Sequence, residues 1–371
     1  MKKQIGAITI FLFCAILYSF GAAHVLLPDT QISNAERRYL TQLPSLTWDT
    51  LTDGTFMKNL DKYLPDQFPL REGFRGTKAV FEKLSLRLDS SDVYESNDHL
   101  AALDTNVNDA LVEKAANKLG KVKDALLTEG HTAYLAVIPP KNYYISKVDK
   151  KHPTIDYEAV RDRVGELCPD FSEIDLYDLL DLDDYYRTDS HWRQERLEEA
   201  GVADRIAESM GVLRTEEYIA ETSEMLESFR GVYVGQSALP TEAEQIYYMT
   251  SPSIENATVA YIGADIAENS VYTLSKTEGV DMYDIFLGGA VPVIEIVNEN
   301  AATDRELVIF RDSYGSSLAP LLIECFERIT LVDLRYIEFD LVPKFVEYEN
   351  ADLLFLYSTG VLCNSEMLKV R

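Results

Sequence analysis

Three side chains that together can activate a hydroxyl occur in two short stretches of this chain. In Glu306-Leu307-Val308-Ile309-Phe310-Arg311-Asp312-Ser313-Tyr314-Gly315, a short apolar run ends in a serine beside a glycine, and helical spacing resumes at Leu318. A strand, a tight turn and a helix follow from that pattern. A serine at such a turn projects past the carboxyl end of a sheet, where α/β enzymes place nucleophiles. Asp312 and Ser313 are also good helix caps, so the stretch alone supports a plain N-cap as well. The second stretch is Tyr185-Tyr186-Arg187-Thr188-Asp189-Ser190-His191-Trp192, with an acid two residues before one of only five histidines. A serine nucleophile needs a base to accept its proton, and the base needs a carboxylate to fix its tautomer. Ser313, His191 and Asp189 fill those roles.

The other polar candidates are less specific. Pro139-Pro140-Lys141-Asn142 follows a buried-strand pattern over 132–138, where open sheets collect ligand-binding loops, so Lys141 or Asn142 lines a pocket or closes a turn. Gly288-Gly289 would let backbone N–H groups approach an oxyanion, or is a simple turn. Trp192 and Tyr314 suit either a wall for a sugar ring or the core. Arg311, just before the serine turn, counts with them as a candidate for substrate or oxyanion binding. Asp175, Asp178, Asp181, Asp183 and Asp184 crowd the approach to the histidine, but no calcium-loop glycine or zinc-type histidine cluster accompanies them, so no metal and no cofactor is expected.

These residues need a scaffold. With 371 residues and 46% hydrophobic content, the chain can bury a full α/β core. Helical spacing covers 108–129, 193–210, 316–326 and 340–348; strands are expected at 306–310, 329–333 and 352–357. The last seventy residues therefore read as consecutive βαβ units, hence a parallel sheet covered on both faces. Short β-like runs at 245–249, 258–262, 270–274 and 291–297 suggest a β-rich insertion over about 215–301. The main domain is expected over 92–371.

Lys and Arg total 35 against 62 Asp and Glu, a net charge of −27, which disfavours binding to nucleic acid. Lys2-Lys3 precedes an apolar stretch from Ile5 to Leu27, long enough to cross a bilayer with the positive end in the cytoplasm. Residues 1–27 read as a transmembrane anchor or a cleaved signal peptide, and the rest would lie outside the cytoplasm. Residues 28–91 form a juxtamembrane region with helical patterns over 57–63 and 74–88. It reads as a spacer or substrate-facing arm, or as a segment that Phe68, Leu70 and Phe74 pack onto the main domain. Cys168, Cys325 and Cys363 permit at most one bridge, and buried free thiols are the simpler reading.

At these motifs the chain resembles the SGNH-hydrolase-like proteins of bacterial polysaccharide acetylation. That group includes the alginate O-acetyltransferases and the proteins named for an Asp-His-His-Trp motif. Here the motif is Asp189-Ser190-His191-Trp192, departing at its second position. The resemblance also runs through Asn34-Ala35-Glu36-Arg37-Arg38-Tyr39-Leu40, Tyr63-Leu64-Pro65-Asp66-Gln67-Phe68-Pro69-Leu70-Arg71, Pro139-Pro140-Lys141, Met282-Tyr283-Asp284-Ile285-Phe286-Leu287-Gly288-Gly289 and Val332-Asp333-Leu334-Arg335-Tyr336. It implies a three-layer α/β/α sandwich with a mainly parallel sheet, preceded by one transmembrane helix. It also implies an O-acetyltransferase of a cell-envelope or exopolysaccharide, working through an acetyl-serine and supplied by a multipass membrane-bound O-acyltransferase. A carbohydrate acetylesterase with the same triad, or a non-catalytic polysaccharide assembly or binding protein, remains open.

Overall fold

The computed structural model describes residues 2–33, 35–85, 89–215, 219–222, 226 and 228–371. Asn34, in the first of the stretches quoted above, lies outside them. So do 86–88, at the end of the expected helix over 74–88, and 216–218, 223–225 and 227 within the expected β-rich region. The chain divides into two compact units, Met1–Ser91 with Val234–Pro240, and Asp92–Tyr233 with Thr241–Arg371.

The second unit is built on one seven-stranded sheet. Its strands are β1 (Ala133–Ile138), β2 (Ser172–Glu173), β3 (Thr258–Ile262), β4 (Val293–Val297), β5 (Glu306–Arg311), β6 (Arg328–Val332) and β7 (Ala351–Ser358). The spatial order is β2-β1-β7-β5-β6-β4-β3. The first five run parallel; β4 pairs antiparallel with β6, and β3 antiparallel with β4 at the far edge. Every residue of β7 is buried, as a central parallel strand covered on both faces requires. Phe310 and Phe355 pair across β5 and β7 with rings stacked at 4.9 Å. Each such fully buried apolar side chain is worth about 1.5–3 kcal/mol, and an Ile309→Ala cavity in β5 would cost roughly 2–5 kcal/mol.

The helices follow the sequence except where proline or glycine intervenes. Asp109–Leu126 starts at Asn108, whose side chain accepts from the N–H of Ala110, and buries Val112, Leu119, Val122 and Leu126. The helix expected over 193–210 is two, Gln194–Glu199 and Val202–Ser209, because Gly201 takes a left-handed φ of 71° between them. The one expected over 316–326 is α-helical only at Tyr314–Leu318 and tightens to a 3₁₀ helix over Ala319–Cys325, which contains Pro320. The one expected over 340–348 is a 3₁₀ turn, Phe339–Lys344, around Pro343. Proline lacks the N–H that an α-helix interior needs. The expected β-rich insertion differs more. β3 and β4 belong to the central sheet itself, and 270–274 makes a single bridge, Tyr272 to Phe286, before a 3₁₀ turn at Leu274–Glu278.

In the first unit, Lys2–Leu26 is one continuous helix, and its stretch Gln4–Leu26 is long and apolar enough to cross a membrane. Helices Thr55–Asp66 and Arg71–Leu84 follow. The two stretches of the resemblance that fall here meet in one ion-pair network. Asp66 accepts both guanidinium arms of Arg38 at 3.0 and 2.6 Å and the N–H of Thr41 at 2.8 Å, while Glu36 pairs with Arg71 and Arg75. The Arg38 hydrogen bonds hold the Asp66 carboxyl well below the usual range. Phe68 and Phe74 pack on Phe20 of the apolar helix, and Leu70 is exposed.

Candidate active site

The carboxyl ends of β1, β7, β5 and β6 lie side by side, and the chain enters β7 last, between strands laid down on either side. Open α/β sheets place ligand sites at the carboxyl ends of strands where the order reverses in this way. Ser313 follows β5 at the N-terminal end of helix Tyr314–Leu318. Its hydroxyl makes no capping bond. Asp312 does that work, with Oδ1 accepting from the N–H of Tyr314 at 3.1 Å and Oδ2 from the N–H of Ser358 at 2.8 Å, which ties the ends of β5 and β7 together. The division of labour between the two cap-type residues leaves the serine hydroxyl free for other chemistry.

That hydroxyl meets His191. The Nε2 atom is 2.7 Å from Ser313 Oγ, and Nδ1 is 2.6 Å from Asp189 Oδ1. Asp189 is completely buried; its Oδ1 also accepts from the N–H of His191 at 3.1 Å, and its Oδ2 from the N–H of Val232 at 2.8 Å. A carboxylate held this way favours a proton on Nδ1, which leaves Nε2 as the acceptor facing the serine.

The imidazole is further held by aromatic rings. Tyr283 stacks on it, with centroids 3.9 Å apart and planes within 9°, and Tyr314 tilts against it at 4.9 Å. The Tyr283 hydroxyl reaches Ser317 Oγ at 2.9 Å, and that of Tyr314 donates to the carbonyl of Ser190 at 2.7 Å. Burial pushes both phenols well above their ordinary pKa, so both rings stay neutral. Trp192 is fully buried, and its Nε1 donates to Tyr314 O at 3.1 Å and to Ser317 Oγ at 3.0 Å. It offers no face to a sugar; its indole clamps the histidine stretch to the serine helix. Tyr314, at 7% exposure, is likewise committed to packing.

The five other candidates for ligand or oxyanion contact are engaged within the protein. Lys141 is buried, and its ammonium donates to the carbonyls of Tyr186 at 3.0 Å, Arg187 at 3.2 Å and Asp189 at 2.6 Å, with the ring of Tyr233 5.0 Å away. Burial pushes it down to about 7, against the pull of Asp189 and Glu244. It supports the histidine stretch from the start of helix Lys141–Val148, just after β1. Asn142 is spent on the carbonyl of Ala102 at 2.6 Å. Gly289 has φ 78°, and an added Cβ would collide with Asp284, so the position requires glycine; but its N–H turns back to Phe286 O at 3.4 Å instead of standing free for an oxyanion. Gly288, at φ 71°, shares that turn. Arg311 is buried against Asp333 at 3.6 Å and reaches the carbonyl of Gly289 at 3.4 Å, so it braces the glycine turn against the end of β6. Of the candidate residues, the structure therefore joins Ser313, His191 and Asp189 in one hydrogen-bonded chain centred on His191, with the others around them as supports.

Sequence reasoning missed Glu244, Val232, Tyr283 and Ser317. Glu244 accepts the N–H groups of Arg187 and Thr188, both at 2.7 Å, and the hydroxyl of Thr188, closing the base of the loop that carries Asp189 and His191. A glycine gave the one available signal: at Gly231 a Cβ would strike the Thr188 carbonyl, marking a close backbone approach. The aspartates before the histidine act in ion pairs and caps, Asp178 with Arg205, Asp184 with Arg196, and Asp181 with Asp184 in a capping box.

No model of a known protein family matches the chain, and no curated protein matches it. Solved structures do. A DHHW family protein from Eubacterium siraeum superposes with a TM-score of 0.63 at 22% identity, covering 76% of this chain and 96% of that one. Bacillus cereus PatB1 with a sulfonyl adduct gives 0.58 at 16% identity, covering 73% and 95%, and PatB1 alone gives 0.56 at 16% identity, covering 73% and 96%. The chain thus shares the mixed α/β fold, on a mostly parallel central sheet, of these DHHW family and PatB1 structures.

Proposed function

We propose that this protein is a membrane-anchored, extracytoplasmic O-acetyltransferase that moves an acetyl group to a cell-envelope polysaccharide through an acetyl-Ser313 intermediate. The observation that carries the reading is the chain of short hydrogen bonds from Ser313 Oγ through His191 to buried Asp189. In the first half-reaction His191 Nε2 takes the serine proton as Oγ attacks the donor's acetyl carbonyl. The tetrahedral oxyanion is met by the backbone N–H of Ser313, and collapse expels the donor's alcohol or thiol, which leaves with the proton from His191. In the second, His191 deprotonates a sugar hydroxyl, that oxygen attacks the acetyl-serine, and the serine is regenerated as it takes the proton back. Asp189 keeps the imidazole oriented and stabilises its charged form in both. Acetyl as the group, and a multipass membrane acyltransferase as its supplier, rest on the family resemblance of the motifs.

The same triad serves an acetylesterase if water replaces the sugar. The test is to give the full-length protein, in detergent, an activated acetyl ester with and without a soluble oligosaccharide. Acetylated oligosaccharide formed in preference to free acetate supports the transferase. Acetate alone, at a rate the oligosaccharide does not change, favours the esterase, and binding of acetylated sugar with no turnover favours a binding protein.

A further inference from the structure

Residues 28–91 do chemistry in none of these steps, yet they expose an unusual amount of apolar surface. We propose that this segment is a collar seated in the headgroup layer of the membrane, so that its partner is the lipid surface itself; the inference rests on the reading that Lys2–Leu26 crosses a bilayer.

Depth is the first argument. Phe20 precedes the helix end at Leu26 by six residues, roughly 9 Å of rise. Phe68 stacks on it at 5.5 Å and Phe74 meets it edge-on at 5.7 Å, while Tyr63 meets His24 at 5.4 Å. A mainly apolar helix of 23 residues fills the hydrocarbon thickness with little to spare. Side chains packed alongside its last turns must then sit at the boundary between acyl chains and headgroups, where aromatic residues gather.

The surface leading away from that contact is also apolar. Helix Arg71–Leu84 buries Ala79 and Glu82, yet leaves Phe74, Phe81 and Leu84 exposed at 49, 69 and 76%. Their spacing of seven and three residues puts them on one stripe, whose first member touches Phe20. Leu70, exposed at 75%, adds to the same end. An open groove of about 690 Å³ at the helix exit is lined by Leu27, Pro28, Ile32, Phe68 and Leu70, with Arg71 at its polar margin. Aqueous surfaces rarely tolerate such continuity.

Charge separates this segment from the remainder. Residues 28–91 contain nine Lys and Arg against nine Asp and Glu, whereas 92–371 contain 24 against 53. An anionic bilayer repels the strongly acidic body and leaves the neutral segment free to approach.

The test uses the full-length chain in phosphatidylcholine vesicles containing brominated lipid, which quenches tryptophan by contact. In a Trp48→Phe background, where fully buried Trp192 is the constant signal, reporters are introduced as Phe13→Trp in the apolar helix, Phe81→Trp on the stripe and Leu70→Trp at the groove. The expected result is that all three added emissions are largely lost to bromolipid and blue-shifted. Quenching at Phe13→Trp with none at Phe81→Trp or Leu70→Trp overturns the collar while leaving the anchor in place. No quenching at any position overturns the anchor reading and the collar with it. Protection of the stripe that appears only at high protein density assigns the surface to a second copy and overturns the lipid assignment.

Discussion

Ser313 and His191 are 122 residues apart in the chain, and their Oγ and Nε2 atoms are 2.7 Å apart in the fold. Two independent loops meet at that bond, one held by the end of β5 and the other by a scaffold of buried groups. Asp189 organises the second loop, since its carboxylate binds both the ring and the N–H of His191. Asp189→Asn keeps the shape but presents an amide that can donate to Nδ1, which would leave the Nε2 lone pair protonated. The expected loss of kcat is on the order of 10³–10⁴-fold with the fold intact, measured on an activated acetyl ester; retention of more than a tenth of wild-type turnover contradicts the assigned role.

Lys141 is a positioning residue. Its ammonium gathers three carbonyls of the loop that bears Asp189 and His191. Lys141→Met removes the donors and should lower kcat by roughly 10²-fold with little change in KM, as expected for a displaced catalytic group. A raised KM at constant kcat would instead mark a substrate contact.

The same lysine makes stability depend on pH. Burial holds its folded-state pKa near 7, below the 10.5 of a free lysine. Between those values the unfolded chain binds a proton that the folded chain does not, so folding gains stability as pH rises through that window and loses the gain as pH falls to about 7. Urea midpoints of the wild type and Lys141→Met, compared from about pH 7 to about pH 10, should diverge in favour of the wild type with rising pH. A difference independent of pH would contradict the buried, near-neutral amine.

Trp192 should behave as a clamp. Trp192→Phe loses the two Nε1 bonds to Tyr314 and Ser317, at a cost of about 1–3 kcal/mol in stability for two buried hydrogen bonds. The KM for an oligosaccharide acceptor should stay within about twofold, a change below 0.5 kcal/mol. A large rise in acceptor KM in a variant of unchanged stability would restore the indole as a sugar wall.

Much of this architecture was legible in the chain because the relevant signals are local. The apolar runs of β5, β6 and β7, the turn after Phe310 and the spacing of Asp189 and His191 are each contained in a few residues. Partners across the fold were not legible. Nothing in 258–262 or 293–297 says that these strands extend the central sheet antiparallel rather than form an insertion. Nothing around Lys141 shows that its charge is spent on backbone carbonyls 45–48 residues away. Trp192, Tyr314, Arg311 and Asn142 have the chemistry of ligand-binding residues, and burial alone assigns them to support. The glycines were half legible: Gly201 marks a helix break by its backbone conformation, whereas the reason for Gly289 lies in the Asp284 side chain beside it.

The acetyl-serine is the central claim, and trapping it is the most direct test. Full-length protein mixed with an activated acetyl ester, quenched in acid within one turnover and mapped by peptide mass spectrometry, should carry one acetyl group on the peptide containing Ser313. Added oligosaccharide should discharge that group onto sugar, and Ser313→Ala should show neither adduct nor turnover above about 10⁻⁴ of wild type. Wild-type turnover that persists in Ser313→Ala, or an acetyl group that appears at another residue and chases onto sugar from there, would contradict the account.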